Sequence, residues 1–270
     1  SSTVVSIMQS LSSKPIKTFT IGFKDEAYDE ANDARLIANH LGTDHHELYV
    51  EPQDIIDLIP LLSDLYDEPF SDASQIPTYL VSKLAKESVT VSLSGDGGDE
   101  LFCGYNRYHI TEKFWGVIMT LPLFFRKLTS FLLLSIPIYF WKKLENFAFL
   151  FKKYNNIGFK INKGAGVISS NSLYELYDNL LSNWKITDKL VRGTVNRLHL
   201  DLASSKELER FSKVEKMMLW DMQSYLPNDI LVKLDRASMG VSLEGRVPFL
   251  DHKIVEFSWR VPSKYKFKNN

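Results

Sequence analysis

A glycine-rich acidic loop holds the residues of this sequence that are best suited to chemistry. Residues 89–93 are mostly β-branched or apolar and predict a buried strand, which ends abruptly in the loop SGDGGDE at 94–100. Three glycines in four positions allow positive φ angles and close approach of the backbone to a ligand. Asp99 and Glu100 then open an apolar helical run, where carboxylates favour the first turn. Nucleotide sites in α/β proteins use this order of strand, glycine loop and helix start.

The acidity of the loop indicates which chemistry it could support. A loop that holds phosphate unaided usually offers bare amides and a lysine, whereas Asp96, Asp99 and Glu100 would repel phosphate. Carboxylates combined with phosphate oxygens suit Mg²⁺, so we expect a site for a metal and a nucleotide. The alternative is a turn with a solvated, acidic helix start. The preceding strand and the following Asp-Glu-Leu-Phe favour the nucleotide site.

A second charged segment, residues 225–251, offers the cations that the loop lacks. Asn228 or Asp229 is expected to cap a helix that runs through Leu231. Besides Asp229, six charged side chains interrupt this otherwise apolar stretch: Lys233, Asp235, Arg236, Glu244, Arg246 and Asp251. Buried charges must be paired or must serve a ligand. For Lys233 and Arg236 we favour a ligand, because a phosphate-rich leaving group needs cations. For the last three residues, an internal ion-pair network explains the charges equally well.

Strands alternate with helices over the first hundred residues. Strands are predicted at 17–23 and 45–50, and apolar residues at helical spacing predict helices at 2–11, 29–41, 52–66 and 76–86. Gly42 suits the end of the second helix. This alternation implies an α/β fold with right-handed crossovers and a mostly parallel sheet. Ligands of such sheets lie beyond the carboxyl ends of the strands, where both Gly22 and Ser94 occur.

The middle of the chain has a different pattern, because large apolar residues, lysine and asparagine replace the strand signals. Residues 155–171 are rich in Gly, Ser and Asn and predict a mobile loop. The most apolar stretch, 114–141, is divided by Arg126-Lys127 and two prolines, so no run reaches the roughly 20 residues of a spanning helix. We therefore expect buried or partner-facing helices and no membrane span, while association with a membrane stays open.

Composition restricts the class of protein further. The chain is 44% hydrophobic, which is ordinary for a globular protein with a core. Its 32 basic and 33 acidic side chains leave a net charge of −1, so nothing indicates nucleic-acid binding. The single cysteine, Cys103, excludes an internal disulfide and fits a reducing, cytoplasmic compartment. The sequence shows no signal peptide and no spacing typical of a zinc site.

Three passages of the sequence resemble one enzyme family. TFTIGF at 18–23, SLSGDGGDELFCGYNRY at 92–108 and LPNDILVKLDRASMGVSLEGRVPFLD at 226–251 are similar to the synthetase domain of the glutamine-dependent asparagine synthetases of the B type. The similarity covers both ends of the chain and is weak in the helical middle. It implies a PP-loop ATP pyrophosphatase-like (adenine nucleotide alpha hydrolase-like) fold, in which a doubly wound parallel sheet carries a helical insertion.

The resemblance also implies a division of the chain into three parts. Residues 1–110 would form the nucleotide-binding α/β core, without its first strand and pyrophosphate loop. Residues 111–200 would form the mostly helical insertion. Residues 201–270 would form a C-terminal helical part that completes the active site.

Members of the family catalyse a two-step amide ligation. ATP adenylylates the side-chain carboxylate of aspartate and releases pyrophosphate, and ammonia then attacks the acyl-adenylate to give asparagine and AMP. The resemblance therefore implies ATP and Mg²⁺ as cofactors, and aspartate and ammonia as substrates. Because no covalent enzyme nucleophile is required, positioning of the two anions supplies most of the catalysis.

By the same resemblance, four residues would contact the nucleotide. Ile21 would meet the adenine through its backbone at the end of a strand. Ser94 and Gly95 would lie against the nucleotide and the acyl intermediate, and Gly97 belongs to the same loop.

Four charged residues would carry the chemistry. Asp96 stands where the family has Glu or Asp, a position tied to formation of the intermediate, and Asp99 would hold Mg²⁺. Arg236 stands at a position where relatives carry Lys or Arg facing the phosphates, with Lys233 as a neighbour. Cations at this place would stabilise the leaving pyrophosphate.

The sequence departs from the family at its start. The family's pyrophosphate loop reads SGG-x-DS, whereas this chain begins SSTVV, which resembles the end of that loop and the first helix. We therefore expect a fragment of a larger enzyme, with an N-terminal glutaminase domain in the parent chain, and we expect the fragment alone to be inactive. Loss of one strand would expose a sheet edge that invites association, so marginal stability and a homodimer are further expectations.

Two other functions fit the same residues. Relatives with this chemistry amidate sugar carboxylates in surface-polysaccharide synthesis or close β-lactam rings, and no acceptor-pocket residue in the sequence separates these substrates from aspartate. Alternatively, the chain is catalytically inactive and binds only a nucleotide or a partner. The missing SGG-x-DS loop favours that alternative for the fragment, but not for its parent.

Overall fold

The computed structural model describes residues 1–23, 29–137, 139–141, 157–182 and 206–266. The chain divides into two compact units, the first formed by Ser1–Gly104 and Asp221–Asn270 and the second by Tyr105–Trp220. The chain begins with alternating helices and strands: α1 (Ser2–Leu11), β1 (Lys17–Phe23), α2 (Ala31–Leu41), β2 (Asp44–Val50), α3 (Pro52–Leu65), α4 (Gln75–Lys86), β3 (Val91–Leu93) and α5 (Gly98–Phe102). Helices follow in the middle of the chain: α6 (Asn106–Thr120), α7 (Leu123–Ser135), α8 (Ile157–Ile168), α9 (Leu173–Leu181), a 3-10 helix (Lys206–Arg210) and α10 (Lys213–Gln223). The last elements are a π-helix (Leu226–Ile230), α11 (Leu231–Met239), β4 (Glu244–Arg246), a 3-10 helix (Pro248–Leu250), α12 (His252–Arg260) and α13 (Ser263–Lys266).

The first sheet of the first unit pairs β1 with β2 in parallel, from Lys17 opposite Asp44 to Phe23 opposite Val50. Helix α2 connects the two strands and packs on both of them. It ends at Gly42, whose φ of 71° lies in the left-handed region that glycine adopts without strain. The predicted strands, helices α1 to α4 and the glycine stop are confirmed, with ends that differ by one or two residues.

The second sheet pairs β3 with β4, again in parallel, with Val91 opposite Glu244. The side chains of Val91 and Leu93 are 39% and 40% exposed, so the prediction of a buried strand is wrong. Alternate residues of a strand share one face, and β4 is the only strand beside β3 in the part of the chain that the structure describes. The described strands form two separate pairs. An α/β fold with parallel strands is thus confirmed, whereas one doubly wound sheet stays a prediction.

The described residues of the second unit are largely helical. A core forms where Trp115 of α6, Val167 of α8 and Leu176 of α9 pack together. The prediction of a mobile loop at 155–171 is wrong, because residues 157–168 form helix α8. Ala165 and Gly166 are buried in it, and such small residues allow close helix packing that offsets the poor helix propensity of glycine. Residues 142–156 and 183–205 of the predicted insertion lie outside the described residues.

Many apolar side chains between residues 114 and 141 are exposed rather than buried, including Phe124 and Phe131 of α7. The helices there are therefore only partly buried, with Trp115 in the core, and the exposed side chains fit the partner-facing alternative. No single helix of the described residues is both long and apolar enough to cross a membrane. The pair Gly98–Thr120 and Leu123–Ser135 reaches that length and hydropathy only together, across a bend of 116°.

Candidate active site

The glycine loop leaves β3 and turns directly into α5, in the order that the sequence predicted. Gly97 precedes α5 with a φ of 80°, a conformation that residues with a Cβ rarely adopt. Asp99 and Glu100 lie in the first turn of the helix, the former exposed and the latter buried. A side chain on Gly97 would also meet Leu250, since its Cβ would lie 2.8 Å from Cδ2 of that residue. The backbone at Gly97 is thus closely packed against the side chain of Leu250.

Helix α1 begins against this loop. A Cβ atom on Gly95 would lie 2.7 Å from Cα of Ser1, the residue at the N-cap of α1, so only glycine fits without a shift of the helix. Within the residues that the structure describes, the Ser1 side chain makes no capping hydrogen bond. The first amides of a helix have no partner inside the helix and favour an anion. The arrangement therefore places a helix N-terminus, suited to phosphate, beside an acidic glycine loop.

Ser94 supplies a further polar atom at the start of the loop. Its backbone N–H donates to the carbonyl oxygen of Arg246 in β4 at 2.9 Å. Its Oγ is buried and has no hydrogen-bond partner among the described residues. Because buried hydroxyl groups normally find a partner, this oxygen is available to a ligand that enters the loop.

Two carboxylates of the loop are candidates for holding a magnesium ion. Asp96 is half-buried and Asp99 is exposed. The Asp99 carboxylate lies against Gly104, where an added Cβ would come within 2.8 Å of the carboxylate carbon. The described residues contain no group of three or more side chains that could hold a metal by themselves. Mg²⁺ commonly uses one or two carboxylates and completes its shell with phosphate oxygens and water, so this donor set fits a magnesium ion that binds together with a nucleotide.

The first of the two predicted cations, Lys233, lies on α11 in a closed network. Its Nζ donates to Ser74 Oγ at 2.8 Å and lies 3.1 Å from Oδ2 of Asp72. The Ser74 hydroxyl donates in turn to Oδ1 of Asp72 at 2.7 Å, and the Ser74 backbone N–H donates to the same oxygen at 2.8 Å. Both charged side chains are largely buried. The charge of Lys233 is therefore already balanced, which suits a positioning role.

Burial and hydrogen bonding act in opposite directions on the groups around this network. Burial alone would raise the pKa of Asp72, but the hydrogen bonds from Ser74 and the charge of Lys233 together hold that pKa below its ordinary value. Nearby, burial raises the pKa of the Tyr66 hydroxyl to about 12, with a smaller contribution from Asp72. Asp72 is thus ionised and Tyr66 is neutral at pH 7.

The second predicted cation, Arg236, lies one turn further along α11. Its Nη2 donates to Oδ2 of Asp67, and the two side chains are 44% and 78% exposed. Exposed ion pairs contribute little to stability and exchange readily with solvent. The guanidinium of Arg236 is therefore free to exchange Asp67 for a phosphate group, unlike the ammonium of Lys233.

The start of α11 differs from the prediction. Asn228 and Asp229 do not cap the helix, because they lie inside a π-helix at Leu226–Ile230 that continues into α11. The N–H of Asn228 donates to the carbonyl oxygen of Ser224 at 3.0 Å, so the backbone is already helical before these residues. A π-helix of this kind often accompanies a functional site.

The remaining charges of the second segment are not buried, so that expectation is wrong. Glu244 and Arg246 are exposed and lie on the same side of β4, where Nε of Arg246 donates to Oε1 of Glu244 at 2.7 Å. Asp251 is exposed and caps α12, accepting a hydrogen bond from the N–H of Lys253 at 2.9 Å. Asp235 is exposed as well. These contacts give Glu244, Arg246 and Asp251 local structural roles.

Ile21, the predicted adenine contact, lies near the end of β1 opposite Leu48 of β2. Helix α4 packs on β1 and also on α11, and α11 packs on β4. One helix therefore connects the strand of Ile21 with the helix that carries both cations. The roles predicted for Ile21, the loop residues and the two cations stay predictions.

The sequence analysis missed the segment between α3 and α4, YDEPFSDAS at 66–74, which supplies the partners of both cations. Asp67 pairs with Arg236, and Asp72 and Ser74 hold Lys233. The available signal was a set of acidic residues between two apolar helices, complementary to two cations three positions apart on another helix.

Comparison of the sequence with known proteins identifies the family of this chain. The sequence model of the asparagine synthase family matches residues 1–270. Asparagine synthetase (glutamine-hydrolyzing) 1 of Bacillus subtilis (strain 168) is 30% identical over 262 residues, which are 94% of this chain and 38% of that protein. Putative asparagine synthetase (glutamine-hydrolyzing) 2 of Methanocaldococcus jannaschii is 34% identical over 242 residues, 88% of this chain and 43% of that protein.

The chain thus spans about two fifths of the length of these two relatives. The family match nevertheless covers the glycine loop, the segment between α3 and α4, and the cation-bearing helix alike. This chain belongs to the asparagine synthase family.

Proposed function

We propose that this chain is the ligase part of an ATP-dependent asparagine synthetase with a PP-loop type of fold. In the full-length protein it would adenylylate the side-chain carboxylate of aspartate and transfer ammonia to the activated carbon. The products would be asparagine, AMP and pyrophosphate. A glutaminase domain elsewhere in the full-length protein would supply the ammonia, as the names of the relatives suggest for those proteins.

One observation carries this proposal: the acidic glycine loop lies against the N-terminus of α1 in a chain that matches the asparagine synthase family throughout. The helix N-terminus suits the phosphates of ATP. Because Gly95 has no Cβ, the loop backbone can lie close to that terminus. The Oγ of Ser94, which has no partner among the described residues, would donate a hydrogen bond to the nucleotide or to the acyl group.

Asp99, together with Asp96, would hold Mg²⁺ against the phosphate oxygens. When bound, the metal ion would neutralise negative charge on the triphosphate. Asp96 is half-buried at the loop, which suits a residue that holds a counter-ion of the acceptor carboxylate. Ile21 would contact the adenine from β1 through its backbone.

Arg236 would stabilise the charge that develops on the leaving pyrophosphate. Its present partner, Asp67, is highly exposed, so the exchange of a carboxylate for a phosphate costs little. Lys233 would act more indirectly, since Asp72 and Ser74 already hold its ammonium group. In this arrangement the enzyme holds two anions in line, and this positioning provides most of the rate enhancement.

The test is pyrophosphate release from ATP by the full-length protein with Mg²⁺. Reactions would contain aspartate, glutamate, a uronic acid or no carboxylic acid. We expect release that depends on aspartate, and asparagine after ammonia is added. Release with only another acid would contradict aspartate as the acceptor while keeping the ligase chemistry. No release from correctly folded protein with any acid would contradict the enzymatic function.

A further inference from the structure

The outward face of helix α7 is apolar. Six of its apolar side chains are between 43% and 71% exposed: Phe124, Phe125, Leu128, Phe131, Leu132 and Leu134. At the period of an α-helix the first five lie within an arc of about 120° on one side, and Leu134 lies beyond the edge of that arc. Single exposed apolar residues are normal, but a continuous stripe with three phenylalanines marks an interaction surface.

The inward face of the same helix is polar, so the helix cannot easily turn its stripe towards the core. Arg126 and Ser130 are both buried, at 5% exposure each. The guanidinium of Arg126 donates from Nη1 to the carbonyl oxygen of Ser170 at 2.6 Å, and from Nε to that of Leu121 at 3.1 Å. Rotation of α7 would leave a buried guanidinium without these partners, which is costly. These contacts therefore hold the apolar stripe towards the outside.

The segments before and after α7 also expose apolar side chains. Helix α6 exposes Ile110, Phe114 and Val117, which have the i, i+4, i+7 spacing of one helix face. After α7, Tyr139 and Phe140 are also highly exposed. Apolar exposure is therefore a property of this whole part of the second unit and not of one helix alone.

The charge of the same segment has one sign. Between residues 113 and 143 the sequence contains no Asp or Glu, and the exposed cations among the described residues are Lys113 of α6 and Lys127 of α7. The whole chain, in contrast, has a net charge of −1. Exposed phenylalanines and leucines beside lysines are typical of helices that lie in the surface of a membrane with anionic lipids.

We propose that this face of the second unit binds the surface of an anionic lipid bilayer. Helix α7 has 13 residues and is about 20 Å long, too short to cross a hydrocarbon core of about 30 Å. It would lie in the plane of the membrane, with its aromatic stripe between the headgroups and the acyl chains. A protein partner that covers the stripe is the alternative. The excess of cations over acidic residues in this segment favours an anionic lipid surface instead. This inference does not depend on the proposed reaction.

Vesicle flotation with the full-length protein tests the proposal. Vesicles of phosphatidylcholine alone would be compared with vesicles that also contain phosphatidylglycerol. We expect binding to the anionic vesicles that weakens as salt is raised, because salt screens exposed charges. The double variant Phe124→Asp/Phe131→Asp should lose more than about tenfold in vesicle affinity, since two exposed phenylalanines no longer enter the bilayer.

Phe257→Asp is the matched control, because Phe257 is a 59% exposed phenylalanine on α12 of the first unit. It should bind vesicles like the unmodified protein. Circular dichroism should show that both variants are folded. Failure of the unmodified protein to float with anionic vesicles would overturn the proposal, and so would equal flotation of the double variant. A change of oligomeric state in the double variant, without lipid binding by the unmodified protein, would assign the face to a protein partner instead.

Discussion

The ammonium group of Lys233 lies 3.1 Å from the Asp72 carboxylate, and this ion pair connects helix α11 with the segment between α3 and α4. The pair is largely buried and shares Ser74 as a common hydrogen-bond partner. Three positions along the same helix, Arg236 makes the corresponding contact with Asp67 at the surface. The two cations of α11 thus have similar partners but different burial, which predicts different effects of substitution.

Removing one partner of the buried pair should destabilise the protein. Asp72→Ala leaves a largely buried ammonium without its counter-ion, and we expect a loss of about 1–3 kcal/mol in the free energy of unfolding. Lys233→Met keeps the apolar stem and removes only the charge. Urea denaturation of both single variants and the double variant measures the coupling between the two residues. Strictly additive losses would show that they do not interact.

The stability contributed by Asp72 should depend on pH. The pKa of Asp72 in the folded protein is below its ordinary value of about 3.9, so the unfolded chain binds the proton more tightly. The contribution is therefore fully present above the ordinary pKa and is lost as the pH falls through the folded pKa. The difference in urea midpoint between the unmodified protein and Asp72→Asn should shrink from pH 7 to pH 3. A difference in urea midpoint that grows on acidification would contradict a lowered pKa of Asp72 in the folded protein.

Gly95→Ala should impair nucleotide binding, because the new Cβ would collide with the backbone of Ser1 and push α1 away from the loop. We expect ATP affinity to fall by more than about tenfold, as the helix N-terminus moves from the phosphates. Gly116→Ala in α6 is the matched control, since its Cβ would meet nothing within 4 Å. It should keep ATP affinity and gain up to about 1 kcal/mol in stability. Isothermal titration calorimetry on the full-length protein measures both variants, and equal affinities would refute the role of this contact.

Arg236→Met should reduce catalysis far more than stability. Its ion pair with Asp67 is exposed, so the loss of stability should stay below about 1 kcal/mol. Loss of a cation at the leaving group should lower pyrophosphate release by about 10²–10³-fold. Arg260→Met is the control, because Arg260 also forms an exposed pair, with Glu256 at 3.4 Å. Similar rates for the two variants in a pyrophosphate-release assay would exclude Arg236 from the reaction.

Local patterns in the sequence predicted the elements that local forces determine. Strands β1 and β2, the helix stop at Gly42 and the turn from the glycine loop into α5 are all confirmed. Each depends on periodicity, on a positive φ or on a charged first turn, which a short stretch of sequence contains. The positions of the loop residues relative to one another followed from their adjacency in the chain.

Tertiary contacts decided the features that the sequence analysis missed. Helix α8 forms despite its glycines because it packs closely on α7 and α9. Val91 and Leu93 look like core residues, but their exposure depends on which strands lie beside β3. Asp67 and Asp72 pair with Arg236 and Lys233, which lie more than 150 residues further along the sequence. No local pattern in the sequence contains such a pairing.

The most direct test of the proposed reaction follows oxygen from the acceptor to AMP. If the aspartate carboxylate attacks the α-phosphorus, one carboxylate oxygen stays on the phosphate when ammonia displaces AMP. The full-length protein, given aspartate with ¹⁸O in its side-chain carboxylate, ATP, Mg²⁺ and ammonia, should therefore produce AMP that carries one ¹⁸O atom. Asparagine formed together with unlabelled AMP, or ADP as the product, would contradict adenylylation of aspartate by this chain.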